Sequence, residues 1–162
     1  MGQGYTAARS WIHDASNPDY SILKKELELA ISRLIANNSG NAVAIVTDSD
    51  FMTIGLAAHS FPDITAADDE ELWVVDEWDS WIEDDQLDPA YRWLLAYGSG
   101  ENDHLPHEVF HENVLRVFQS VLAELPEDRK VRLIYVGGDD CGHQWSAQCM
   151  DEDLSGRMLA WI

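Results

Sequence analysis

The residues with the most definite chemical spacing are His107-Glu108-Val109-Phe110-His111. This is the H-E-x-x-H pattern of zinc proteases, in which two imidazoles one helical turn apart share a zinc ion and the Glu acts as general base. Its surroundings argue against that use. Pro106 puts the motif at a helix start, whereas zinc proteases hold it inside a helix. Glu112 follows directly, where those enzymes usually carry an uncharged residue. The extended form with a Gly and a third His is missing, and His104, Glu124 and Glu127 stand at no recognised third-ligand spacing. On a helical wheel His107 and His111 lie about 60° and 100° from Phe110, inside the apolar sector shared with Val114 and Phe118. The expectation is a pair of histidines hydrogen-bonded at the edge of the core. Glu108 and Glu112 then suit the positive end of the helix dipole, and no metal or other cofactor is called for.

Smaller constellations read the same way. Asp48-Ser49-Asp50 presents two carboxylates to a cation but lacks the Gly and closing Glu of a calcium loop, so it reads as a hairpin turn. Gly137-Gly138-Asp139-Asp140 follows a strand, as phosphate loops do, yet has no Walker lysine, and its acids would repel a phosphate. Cys141 and His143 have the types for a nucleophile and its base. Asp139 and Asp140 would raise the thiol pKa, and a turn near a sheet edge explains the pair equally well.

The stretch Asp63–Asp88 is different in kind. It carries 12 acids in 26 residues and no base, together with Trp73, Trp78 and Trp81. Aromatic anchors with an acidic rim suit a partner rich in Arg or Lys. The candidate contact residues are Asp68, Asp69, Glu70, Glu71, Trp73, Asp76, Glu77, Trp78, Asp79, Trp81, Glu83, Asp84 and Asp85. If this stretch is helical, Trp78 and Trp81 share a side. The plain alternative is that the three Trp are core and the acids only solvated.

The elements that must position these groups follow from periodicity. Leu23, Leu27, Ala30, Ile31 and Leu34 define one face of a helix that Asn37-Asn38-Ser39-Gly40 ends. Ala42–Val46 and Phe51–Ala58 read as the strands of a hairpin, and Leu72–Val75 as a short strand. Asp88-Pro89 opens a helix with Tyr91, Leu94 and Leu95 inward. Leu105–Leu125 is the longest helix, with Phe110, Val114, Val117, Phe118, Val121, Leu122 and Leu125 along one stripe, and Pro126 stops it. Val131–Val136 is a buried strand, and Gln148–Ile162 a closing helix with Met150, Leu154, Met158 and Trp161 inward. The order predicts a single α+β domain over residues 1–162, with a mainly antiparallel sheet of about four or five strands packed with several helices. Residues 1–19 read as an extension docked through Trp11 and Ile12.

Composition sets the class. With 162 residues, 46% of them hydrophobic, and 7 Trp, one domain can bury a full core. Cys141 and Cys149 form no disulfide framework. Met1–Tyr20 lacks the basic start and apolar run of a signal peptide, and no stretch approaches the roughly 20 apolar residues of a membrane span, so the expectation is cytoplasmic. Thirty acids against ten bases give a net charge of −20. Such a field repels nucleic acid and anionic membranes and speeds the approach of basic proteins. Solubility alone, as in halophilic adaptation, is the competing account.

The hairpin Ala42–Ala58, with its Thr47-Asp48-Ser49-Asp50 turn followed by Met52-Thr53, resembles that of the bacterial proteins grouped as domain of unknown function 4303. Glu77-Trp78 is similar to the family's later Glu-Trp pair. The long helix, the strand Val131–Val136 and a closing helix come in similar order, so the resemblance spans Tyr20 to the end. Just before Glu77, Trp73-Val74-Val75-Asp76 replaces the family's usual Arg-Trp lead. The resemblance implies an α+β protein without established catalytic residues. It also implies a role like that of immunity proteins encoded beside polymorphic toxins. On that expectation the protein is no enzyme but an inhibitor that binds a cognate basic toxin domain, such as a nuclease or an ADP-ribosyltransferase, and covers its cleft. The alternatives are a zinc hydrolase built on His107, Glu108 and His111, or a general acidic interaction module or nucleic-acid mimic.

Overall fold

The computed structural model describes residues 18–36, 40–82, 87–98, 106–137 and 139–162. The expectations for Trp11, Ile12, Glu83, Asp84, Asp85 and His104 lie outside the described residues. Within them the chain runs α1 (Tyr20–Ala36), β1 (Ala42–Thr47), β2 (Ile54–His59), α2 (Asp69–Trp73), a 3-10 turn (Val75–Glu77) and β3 (Ser80–Ile82). It continues through α3 (Asp88–Gly98), α4 (His107–Ala123), β4 (Val131–Val136), α5 (Cys141–Ser146) and α6 (Glu152–Trp161).

The fold is α+β, with one open sheet of order β3-β2-β1-β4. As expected, most of it is antiparallel: β1 with β2 and β2 with β3. The β1–β4 pair is parallel, register Ala42↔Val131 to Thr47↔Val136. Alternation along the strands separates two cores. Val43, Ile45, Leu56, Ala58 and Ile134 meet α1, α3 and α4 on one face. Ala42, Ala44, Ala57, Leu133 and Tyr135 meet α2, the 3-10 turn and α6 on the other.

Local chemistry explains the element ends. Asp19 Oδ1 accepts the Ser21 amide at 3.1 Å, satisfying a first-turn donor of α1. The five apolar residues expected on α1 are its five buried residues. Arg132 donates to the carbonyls of Ala123, Leu125 and Pro126, each at 3.1 Å, and so closes the end of α4. Asn41 continues the hairpin ladder with its side chain, accepting from Phe61 N and donating to Phe61 O at 3.0 and 2.9 Å.

The β4 edge is covered by α5. Ser146 Oγ accepts the Ile134 amide at 2.7 Å and lies 3.2 Å from the Ile134 carbonyl oxygen, which fills an otherwise open strand edge. This needs close approach: a Cβ on Gly142 would stand 2.5 Å from Ile134 O and 2.9 Å from Val136 N.

Several expected boundaries are corrected. Leu72–Val75 is not a strand. Asp69–Trp73 is helical, with three acids in its first turn favourably placed against the helix dipole and Trp73 Nε1 donating to Asp69 Oδ1 one turn back at 3.0 Å. Trp78 and Trp81 therefore share no helix face. The closing helix starts at Glu152 and not at Gln148, because Asp151 caps α6 by accepting the Leu154 amide at 2.9 Å. Trp161 is exposed rather than inward, and so are Tyr91 and Leu95 on α3, where Ala90, Trp93, Leu94 and Tyr97 are buried instead.

Candidate functional site

The acid segment is folded with its carboxylates outward. Leu72, Trp73, Val75 and Trp78 pack into the second core, while Asp68, Glu70, Glu71, Asp76, Glu77 and Asp79 are exposed. This corrects the expected contact list. Trp73 is fully buried and cannot touch a partner. Trp78 retains 4% of its surface, and its Nε1 donates to Glu71 O at 3.1 Å. Trp81 is half-buried, its Nε1 donating to Trp78 O at 2.7 Å.

The acids divide by what holds them. Asp69 pairs with Arg157, Nε to Oδ1 at 2.8 Å, and that guanidinium also donates to Ile64 O and Ala67 O. Asp69 is thus a strut between α2 and α6. Asp76 accepts the Tyr135 hydroxyl at 3.0 Å. Burial, with the Asp76 hydrogen bond and charge, pushes the Tyr135 phenol up to about 12. Asp79 Oδ2 lies 3.2 Å from His59 Nδ1. Asp68, Glu70, Glu71 and Glu77 have no ion pair among the described residues.

Apart from Arg157 on Asp69, the engaged cations among the described residues are bound elsewhere. Arg129, Arg132 and Arg157 turn their guanidinium groups onto backbone carbonyls. Lys24, Arg92 and Arg116 pair with Glu124, Asp88 and Glu112.

One cleft opens in the acid segment. It has a volume of about 190 Å³ and is lined by His59, Phe61, Glu71, Glu77 and Trp78. The Phe61 and Trp78 rings stand 6.1 Å apart at 80°, and His59 lies 4.5 Å from Phe61 and 6.3 Å from Trp78. His59 and Phe61 were not among the candidates read from sequence. The signal was in the β2–β3 register: Ala58 pairs with Ser80, which brings His59 opposite Asp79, but it depends on locating β3.

The histidine motif goes to another use. His111 stacks on Phe51 at 4.3 Å between ring centroids, and its Nε2 is 3.0 Å from Ser49 O. It is the hydrogen-bonded core-edge histidine expected. His107 is more exposed, with Nε2 3.8 Å from Asp50 Oδ1. Both therefore face the Asp48–Phe51 turn. Among the described residues no three His, Cys, Asp or Glu side chains form a group able to hold a metal ion. Asp48 organises that turn: Oδ1 accepts from Asp50 N at 2.9 Å and Met52 N at 3.1 Å, and Oδ2 from Thr53 Oγ1 at 2.8 Å. Burial alone would raise the Asp48 pKa, but these bonds outweigh it and hold the carboxyl below its usual value. They also secure Phe51 at φ 58°, uncommon for a residue with a side chain, with its ring fully buried.

The cysteines lack activation. Burial and the neighbouring Asp139 raise the Cys141 thiol, and burial pushes Cys149 up to about 11 against the opposing effect of Arg132. His143 is buried with Nε2 2.7 Å from Trp73 O. A larger open cleft of about 700 Å³ lies beside Cys149, but its Arg132 is committed to the carbonyls that close α4. No helix among the described residues is long and apolar enough to cross a membrane. Compared with family models, with curated proteins and with solved structures, the chain matches none.

Proposed function

We propose that this protein is a binding inhibitor of the immunity type. It would act in the cytoplasm, and its acidic α2–β3 surface would cover the basic cleft of a cognate toxin domain. The observation that supports this most directly is the unanswered charge of Asp68, Glu70, Glu71 and Glu77. Four carboxylates stand exposed on a Trp-backed scaffold, while six of the described cations are engaged with backbone carbonyls or with other acids. Carboxylates held apart from counter-charges give a field that accelerates encounter with a basic surface. The resemblance to domain of unknown function 4303 adds the toxin as the kind of partner. The zinc-hydrolase reading finds no supporting feature, because His111 is tied to Ser49 and Phe51.

The test is association kinetics with the toxin domain encoded beside the gene. Glu70→Lys, Glu71→Lys and Glu77→Lys together reverse the charge without touching the struts made by Asp69 and Asp76. Association should slow about ten- to a hundredfold at low salt, and the wild-type rate should fall as salt rises. An unchanged rate would remove this surface from the contact.

A further inference from the structure

We infer that Trp161 is the aromatic anchor of the partner contact, and that an arginine on a basic protein surface stacks on its exposed ring. The inference rests on the acidic-face reading for the kind of partner and adds where that partner is gripped.

Trp161 is the exposed tryptophan among the described residues. It keeps 40% of its surface, whereas Trp73, Trp78 and Trp93 are buried and Trp81 and Trp145 half-buried. It stands on the side of α6 that meets the acid segment. On a helical wheel it lies about 40° from Arg157 and about 160° from Leu159. Arg157 ties α6 to α2 through Asp69, so Trp161 faces the same way one turn further on. There it meets the His143 ring at 6.1 Å between centroids and 75°. His143 Nε2 in turn lies 2.7 Å from Trp73 O at the end of α2. The His143 ring is also 5.9 Å from that of Tyr135, whose hydroxyl donates to Asp76. Trp161 is thus linked to the acid segment through His143 without being buried by it.

The elements linked to Trp161 carry exposed acids: Glu70 on α2, Asp76 and Glu77 in the 3-10 turn, and Asp140 ahead of α5. The cation on this side, Arg157, is committed to Asp69, Ile64 O and Ala67 O. An accessible indole with such a border suits a cation, which the ring quadrupole attracts more strongly as docking removes water. A guanidinium is flat and weakly hydrated, so it can lie on the ring while its N–H groups reach carboxylates. The net charge of −20 disfavours a second copy of this chain as the occupant. His143 already holds the indole on one side, so covering it orders little that was free. On this arrangement the acids govern encounter and Trp161 governs dwell time, because its contact forms only after docking.

Acetyl-nona-arginine amide serves as the probe, so the test needs no toxin. It is titrated into the whole protein at low salt while the assigned Trp161 indole N–H resonance is followed by NMR and the affinity is measured by calorimetry. The expected result is a saturable shift of that indole and an affinity about fivefold weaker in Trp161→Leu. Leucine keeps an apolar contact with His143 but has no π face, so the melting temperature should stay within about 2 °C. No binding, binding that leaves the Trp161 indole unmoved, or an affinity within about twofold in Trp161→Leu would overturn the anchor. So would a dimer in sedimentation that Trp161→Leu abolishes, which would assign the exposed ring to a second copy. A toxin domain that failed to associate would end the proposed function and leave a positive peptide result standing. Normal toxin association beside an unmoved Trp161 would end this inference alone.

Discussion

The acid segment and the histidine motif are both dense in polar groups, and the fold treats them in opposite ways. Around the Asp48–Phe51 turn, polar groups meet one another. Asp48 is consumed by three donors, His111 by Ser49 and the Phe51 ring, and His107 approaches Asp50. Along α2 to β3 most apolar members are buried, and several carboxylates face outward with no ion pair among the described residues. A group already satisfied inside the protein has little left for a ligand. A group held out, on a scaffold that cannot collapse around it, keeps its full field. Spacing alone favoured the histidines; the partners available in the fold favour the acids.

This contrast can be broken by substitution, and the largest effect belongs to a residue first taken for a contact. Trp73→Ala should destabilise by about 3–5 kcal/mol, as expected for emptying a fully buried aromatic site, read from denaturant midpoints at constant slope. A loss below about 1 kcal/mol would return Trp73 to the surface. Asp48→Ala should cost about 2–4 kcal/mol, since three donors lose a charged acceptor. Tightened hydrogen exchange at Met52 in that variant would contradict its role in the turn. The charge reversal at Glu70, Glu71 and Glu77 should leave the melting temperature within about 2 °C while slowing association. The combination matters, because a large loss of stability would make those acids structural after all.

The pH dependence sharpens the comparison further. The Asp48 carboxyl has a lower pKa folded than unfolded. Its contribution is therefore complete above the unfolded value of about 4 and vanishes as pH falls through the lower folded value. Stability of the wild type should fall more steeply than that of Asp48→Asn between about pH 5 and 2. Tyr135 runs the other way. Its folded pKa is raised to about 12, so its contribution is intact below the unfolded value of about 10 and is lost as pH climbs from there toward the folded one. Asp76→Asn should soften that alkaline loss in a urea series at pH 9 to 12. The smallest effect is expected at His107, whose side chain is 58% exposed. His107→Ala should change stability by no more than about 0.5 kcal/mol, and a larger change would mean that its contact with Asp50 matters.

The sequence by itself determined whatever depends on neighbours along the chain. The face of α1, the stripe on α4, the hairpin turn at Asp48 and the stop at Pro126 all follow from spacing of three and four, alternation, and local side-chain capping. Those preferences act over one or two turns and need no knowledge of the rest of the fold. The same locality explains the misreadings. Leu72–Val75 looked like a strand because its apolar run is too short to carry a period, and the helical bond from Trp73 to Asp69 competes at the same range. Only the tertiary structure decided that Trp73 faces Leu133 and Tyr135 rather than a partner, that β4 lies parallel to β1, and that Ser146 covers its edge. It also brought His59 and Phe61 beside Trp78. Each of these joins residues separated by many positions along the chain. Their pairing is set by which surfaces can be buried together, a quantity that no single stretch of sequence contains.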